Sequence, residues 1–277
     1  MDTTKVWFIT GASKGMGLAL TQLLLSKGEK VVATSRRLQS LKESIGEENQ
    51  NFLPLKVDIT SDPEVKAAVR RSIEKFGRLD VIVNNAGYSL VGSMEEVTDA
   101  EFRKTIDVNL FGTVNVIRAV MPYLRNQQSG HVINISSNCG YIGFANAGSY
   151  AAAKFAVIGL SESLSAEAEP FNVKVTAVAP GQFRTSFMEE GSLTFTANKI
   201  PVYKVAEAEA MWRSFSGQQI GDPQKLANIL YDVSRIEQPP LHLLLGPDTY
   251  ELVMNHRANE QQEFETWKNV TLSTNFD

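Results

Sequence analysis

Val6-Trp7-Phe8-Ile9-Thr10-Gly11-Ala12-Ser13-Lys14-Gly15-Met16-Gly17 reads as a short apolar, β-prone run that flows into a glycine turn. Leu18, Leu20, Leu23, Leu24 and Leu25 then give a mostly apolar helical pattern that ends near Lys27-Gly28. Strand, glycine turn and helix in this order are the context that a dinucleotide-binding fingerprint requires. Gly11 permits the tight turn, Gly15 lets the backbone approach a pyrophosphate, and Gly17 lets the helix pack on the strand. Ser13, Lys14 and Met16 share that loop. The helix N-terminus would face the phosphates with free N–H groups and the positive end of its dipole. The spacing is G-x-x-x-G-x-G, not the commoner G-x-G-x-x-G, and alone it also suits a glycine-rich turn without ligand.

A second strand, Lys30-Val31-Val32-Ala33-Thr34, ends in Ser35-Arg36-Arg37. An NAD site places Asp or Glu about 20 residues past the glycines to bind the ribose 2′-hydroxyl, whereas Arg suits a 2′-phosphate. No carboxylate stands there. Arg36, with Lys14 as a second cation, therefore favours NADP(H), and NAD(H) stays open. The same charges also fit an ordinary solvated surface.

Further strands and helices alternate along the chain, which predicts a parallel sheet covered on both faces. Leu79-Asp80-Val81-Ile82-Val83 runs into Asn84-Asn85-Ala86-Gly87, and Asp107-Val108-Asn109-Leu110 falls in a helical stretch. His131-Val132-Ile133-Asn134-Ile135 leads into Ser136-Ser137, and a strand from Val173 to Val178 leads into Pro180-Gly181. Tyr150 and Lys154 lie four residues apart, on one face of a helix. An ammonium beside the phenol favours its ionised form and is expected to lower its pKa from about 10. Such a pair is weak evidence alone, because it also arises as a packed Tyr beside a solvated Lys.

Taken together, T-G-x-x-x-G-x-G, N-N-A-G, the helical Asn, the Ser and Y-x-x-x-K resemble the short-chain dehydrogenase/reductase family, in register from about Lys5 to Thr185. The resemblance implies a Rossmann-type doubly wound α/β fold. It makes Tyr150 the general acid in carbonyl reduction, or the base in alcohol oxidation. Lys154 would bind the nicotinamide ribose and lower the Tyr pKa, and Ser137 would hold the substrate oxygen. Asn109 would hold a water linking Lys154 to solvent. Asn85, Ala86 and Gly87 would line the adenosine-ribose side. Asp58 would pair with adenine, although it could equally cap the helix that starts near Ser61-Asp62-Pro63. Pro180 and Gly181 would lie beside the nicotinamide, Thr185 would contact its carboxamide, and Phe183 would contribute by backbone proximity.

Composition agrees with one domain over residues 1–277. Net charge is −4, which gives no basis for a nucleic-acid surface. Cys139 is the only cysteine, so no intrachain disulfide is expected, and the three histidines have no metal-ligand spacing. No apolar run reaches membrane-spanning length and Met1-Asp2-Thr3-Thr4-Lys5 is no signal peptide, so a soluble cytoplasmic protein is expected. Residues 186–220 are expected to form a helical substrate lid. Its Phe187, Met188, Phe195, Tyr203, Met211, Trp212 and Phe215, with Tyr88, Leu90, Tyr141 and Phe144, would favour an apolar or aromatic ketone. Residues 253–277 read as a polar C-terminal tail. The family resemblance implies a homodimer or homotetramer. Three functions compete: an NADPH-dependent carbonyl reductase, an epimerase or dehydratase of the same fold, and a catalytically silent NADP sensor.

Overall fold

The computed structural model describes residues 4–188 and 191–276. Met1, Asp2 and Thr3 of the signal-peptide reading, Glu189 and Glu190 of the expected lid, and Asp277 of the expected tail lie outside them. The first unit is β1 (Val6–Thr10), α1 (Gly15–Ser26), β2 (Lys30–Ser35), α2 (Leu38–Ile45) and β3 (Phe52–Lys56). Next come α3 (Asp62–Phe76), β4 (Val81–Asn84), β5 (Ser89–Val91) and α4 (Asp99–Ile106). A π-helical turn, Asp107–Phe111, joins α4 to α5 (Gly112–Gln127), followed by β6 (Gly130–Ile135), α6 (Gly148–Ala168) and β7 (Val173–Pro180). The rest is β8 (Leu193–Phe195), α7 (Val205–Ser214), α8 (Pro223–Val233), β9 (His242–Leu245) and α9 (Pro247–Leu272).

Parallel strands form one sheet in the order β3-β2-β1-β4-β6-β7-β9. The chain winds outward from β1 to one side and from β4 to the other, so the order reverses between β1 and β4. Ligand crevices in such sheets open at that reversal, beyond the carboxyl ends of the strands. β1 and β4 are buried along their whole length, which is why they read as unbroken apolar runs. Alternate side chains of β1 feed two cores. Val6 and Phe8 pack with Val65, Val116, Val120 and Leu164. Trp7 and Ile9 pack with Leu20, Leu24, Leu41 and Leu226 on the opposite face.

Helix boundaries follow the expected chemistry. Ser61 caps α3 by accepting from the Glu64 N–H, Pro63 stands in its first turn, and Gly77 closes it in the left-handed conformation. Asp222 caps α8 in the same way ahead of Pro223. His131 is buried and held neutral, its pKa lowered by burial to about 3. Thr176 spends its only hydroxyl proton on the Pro240 carbonyl at 2.7 Å, so His131 Nε2, 2.9 Å from that oxygen, must be the donor.

Two segments differ from expectation. The lid segment is not simply helical: it contains β8, which pairs in parallel with β5, and two 3₁₀ turns before α7. Residues 253–272, expected as a polar tail, continue the regular helix α9, in which Thr249 and Val253 are buried. No described helix is long and apolar enough to cross a membrane.

Candidate active site

A cleft of ≈ 1500 Å³ opens over the strand-order reversal. Gly11, Ser13, Lys14, Gly15 and Met16 line one wall. Gly11 and Gly15 have φ of +66° and +58°, a region that favours glycine. A Cβ on Gly11 would lie 2.8 Å from the Ala86 Cα, so the turn and the N-N-A-G segment approach backbone to backbone. Gly17 stands behind the cleft, where a Cβ would meet the Asn85 side-chain nitrogen and the Gly11 carbonyl, each at 2.6 Å. Asn85 explains this closeness, because its Nδ2 donates to the Thr10 and Gly11 carbonyls at 2.9 and 3.1 Å. Asn85 thus shapes the glycine turn as well as lining the cleft beside Ala86 and Gly87.

No side chain caps α1 and no acidic residue occupies its first turn, whereas α4 carries a full capping box of Thr98 and Glu101. This helix start, whose Gly15 and Met16 line the cleft, would suit a diphosphate. At the far end of this wall, Arg36 and Arg37 line the cleft beside Ser35, whose hydroxyl donates to Ser13 Oγ at 3.1 Å. Lys104 of α4 also lines the cleft. Sequence reading selected Arg36 and Lys14 and missed Lys104, since nothing local announces that α4 reaches this groove. Asp58 lines the cleft too. It does not cap α3, a role Ser61 fills. Its Oδ1 instead accepts from the Thr60 N–H and hydroxyl at 2.9 and 2.7 Å.

Ser137, Tyr150 and Lys154 are all buried and all line the same cleft. Lys154 Nζ donates to the Ile135 carbonyl at 2.9 Å and lies 5.6 Å from the Tyr150 ring centre. Ser136 donates to the Lys154 carbonyl at 2.9 Å and anchors this turn of α6 to the end of β6. Ser137 is fixed by an N–H from Cys139 at 3.2 Å and donates to Asn138 Oδ1 at 3.0 Å.

Electrostatics here reverse one expectation. Burial pushes the Tyr150 phenol up, the Cys139 thiol adds to this, and its hydrogen bond with Ser137 only partly offsets it. Protein groups alone therefore do not lower the Tyr150 pKa. Lys154 is itself desolvated, which brings its ammonium down to about 8.

Asn109 is 1% exposed and stands behind the cleft wall rather than in it. The π turn places its side chain against the chain after N-N-A-G. Its Nδ2 donates to the Tyr88 and Thr105 carbonyls at 2.9 Å each, and its Oδ1 accepts from the Tyr88 N–H at 3.1 Å. A Cβ on Gly87 would lie 2.5 Å from that Oδ1 and 3.6 Å from Lys154 Nζ, so both groups close on Gly87. Pro180, at the end of β7, and Gly181, Phe183 and Thr185 after it line the cleft, with Thr185 directly against the Gly15 turn.

The open side is lined by Tyr88, Phe144, Phe187, Met188, Met211 and Trp212 as expected, and also by Val91, Leu193 and Leu252. Five expected residues do not line it. Leu90 is core, and Tyr141 turns away to bond His242 Nδ1 at 2.7 Å. Phe195 packs under Arg213, Tyr203 donates to Glu95 at 2.6 Å, and Phe215 is exposed beyond α7.

Two carboxylates fasten the segment after β8 to α4 and its approach. Buried Glu96 accepts from the Ile200 and Ser93 N–H groups at 2.6 and 3.0 Å, and its carbonyl accepts from Thr196 and Asn198. Glu101 accepts from Thr196 Oγ1 and the Ala197 N–H at 3.2 and 3.3 Å. Backbone N–H groups favour the charged forms, and both pKa values lie below the ordinary 4.5 despite burial. These ties are therefore intact above pH 4.5 and weaken as pH falls through the lower folded values. Glu96→Ala is expected to raise KM for substrate about tenfold while changing kcat less, as loss of a charge-assisted hydrogen bond implies. Steady-state kinetics check this; an unchanged KM would show that the carboxylate does not shape the open side.

Comparison with known proteins places these features in a family context. A sequence profile described as short chain dehydrogenase matches residues 5–194. Oxidoreductase BOA17 of Botryotinia fuckeliana is 36% identical, over 98% of this chain and 99% of its own length. A 3-ketodihydrosphingosine reductase of Bacteroides thetaiotaomicron is 35% identical, over 88% of each chain. The crystal structure of a short-chain dehydrogenase from Streptomyces avermitilis superposes with a TM-score of 0.90 at 33% identity, covering 100% of both chains.

Proposed function

The chain belongs to the short-chain dehydrogenase family and is an NAD(P)-dependent oxidoreductase; from this premise we propose that it reduces an apolar ketone or aldehyde to the alcohol with NADPH, reversibly. What supports the reading most is that buried Ser137, Tyr150 and Lys154 line the same cleft as the glycine turn. When bound, the nicotinamide supplies the hydride. The protein's task is to orient the carbonyl and deliver a proton. Ser137 and Tyr150 would donate hydrogen bonds to the carbonyl oxygen, where negative charge develops. Because burial keeps the Tyr150 phenol protonated, it suits the acid of the reductive direction. Lys154 would return a proton toward Tyr150 through the ribose hydroxyls, with Asn109 holding the connecting water. An enzyme of this kind has reason to bury an ammonium and a phenol together; a sensor of the cofactor has none.

Apolar and aromatic side chains on the open side favour a hydrophobic substrate, in keeping with a relative whose name specifies a keto compound. NADPH is the preferred cofactor because four cations, Lys14, Arg36, Arg37 and Lys104, line the cleft. Arg36→Asp is expected to cut the ratio of NADPH to NADH efficiency about ten- to hundredfold, the worth of one charge-assisted hydrogen bond of about 1.5–3 kcal/mol. An unchanged ratio removes Arg36 from cofactor choice. Two or four copies joined through the long helices, in the cytoplasm, complete the proposal; a 30.5 kDa species in sedimentation would exclude that assembly. The decisive test follows NADPH absorbance across a panel of apolar ketones and aldehydes, with NADH alongside. Cofactor binding without oxidation by any of them would overturn the reductase reading.

A further inference from the structure

We infer that Asp248, in the first turn of α9, is a positioning residue for the loop that carries Pro180, Gly181 and Thr185. The C-terminal helix is thereby a working part of the cofactor site. This rests on the nicotinamide reading above. Asp248 lies 66 residues from Gln182 in sequence, and no motif announces it.

Asp248 Oδ2 accepts from the Gln182 N–H at 2.9 Å. Its carboxylate lies so flat on Gly181 that a Cβ there would overlap both oxygens, and a Cβ on Gly246 would overlap Oδ1. The Gly181 N–H donates to the Leu245 carbonyl at 2.8 Å, so the ends of β7 and β9 are joined once by backbone and once through this carboxylate. Gly181 is therefore required by the acid that rests on it. Three residues past Gln182, Thr185 packs against the Gly15 turn. One turn along α9 from Asp248, Leu252 lines the same cleft. The hydrogen bond from Gln182 to Asp248 and the short chain from Gln182 to Thr185 thus link α9 to the glycine turn.

An acid in the first turn also steadies its own helix through the dipole. That role alone would not involve Gln182, and the two roles separate by experiment. Full-length Asp248→Ala and Asp248→Asn are compared with wild type in three measurements: NADPH affinity by fluorescence titration, thermal midpoint without cofactor, and hydrogen exchange of residues 181–187. Asn keeps an oxygen able to accept from Gln182 but loses the charge. The expected result is an NADPH Kd raised about tenfold in the alanine variant, as the loss of a hydrogen bond to a charged group implies, with near-normal affinity in the asparagine variant. Exchange over 181–187 should quicken in the first and not in the second. If the alanine variant does not fold, Asp248→Ser retains a polar helix start but is too short to reach Gln182, and it should behave as described for alanine. Affinity unchanged in every variant overturns the inference, as does equal impairment of Ala and Asn in step with a shared fall in midpoint. Wild type that binds neither NADPH nor NADH would overturn the underlying nicotinamide reading and this inference with it. Wild-type binding that is indifferent to Asp248 overturns this inference alone.

Discussion

Tyr150→Phe is expected to lower turnover of an apolar ketone about 10³-fold while NADPH affinity stays close to wild type. The substitution removes one oxygen and leaves the ring in its buried place, tilted against Phe187 with centres 6.5 Å apart. Packing is therefore preserved, and what disappears is the proton donor and one of two hydrogen bonds to the developing alkoxide. General acid catalysis contributes about 10²–10⁴-fold, which sets the scale. Pre-steady-state and steady-state rates with NADPH, alongside a binding titration, test it. Near-normal turnover with normal binding would remove Tyr150 from the chemistry.

Lys154 ties this result to pH. Its ammonium is brought to about 8 by burial, so activity that needs the charged form is expected to fall above that pH. Stability moves the other way. Between about 8 and the ordinary 10.5 the unfolded chain binds more protons at this residue than the folded one. Folding stability from this group therefore rises with pH across that window. Opposite slopes for activity and stability would identify a desolvated lysine, and parallel slopes would contradict it.

Gly11→Ala carries the second large expected effect, a loss of about 2–5 kcal/mol in unfolding free energy together with most NADPH affinity. Part of this comes from a left-handed φ of +66°, which costs an L-residue about 1–2 kcal/mol. The remainder is overpacking, since the new methyl would meet the Ala86 backbone at 2.8 Å and force the two loops apart at about 1–3 kcal/mol. Gly28→Ala provides the control. Its φ is +79° but nothing lies within 4 Å of the added carbon, so only the conformational cost applies. Urea denaturation of both variants isolates the close approach as their difference. Equal losses would mean that the glycine turn and N-N-A-G do not touch as described.

Much of this architecture is legible in local patterns. The run Val6 to Gly17 contains both the strand and its turn, because apolar periodicity and glycine spacing are properties of neighbouring residues. The boundaries at Ser61-Asp62-Pro63 and Asp222-Pro223 are legible for the same reason: a cap acts within one helical turn. Tyr150 and Lys154 share a helix, so their joint presence in the site follows from spacing four.

Their proton affinities do not follow from spacing. Spacing predicts a phenol made acidic by its neighbour, but desolvation, a consequence of the whole fold closing around α6, raises it, with the Ser137 hydrogen bond acting the other way. Likewise Tyr141 and Phe195 look like pocket residues in a list of aromatics. One is claimed by His242, a hundred residues on, and the other by Arg213.

The amino-acid order alone thus determined the βα alternation, the glycine cradle, the family and the Ser–Tyr–Lys set, since each is written in short-range spacing and backbone preference. Tertiary structure decided which side chains face the cleft and how burial shifts their protons. It also brought Lys104 to the cleft, Glu96 to Ile200, and Asp248 to the Gly181 loop. Those meetings join residues far apart in the chain, and only the packing of helices on a twisted sheet brings them within bonding distance.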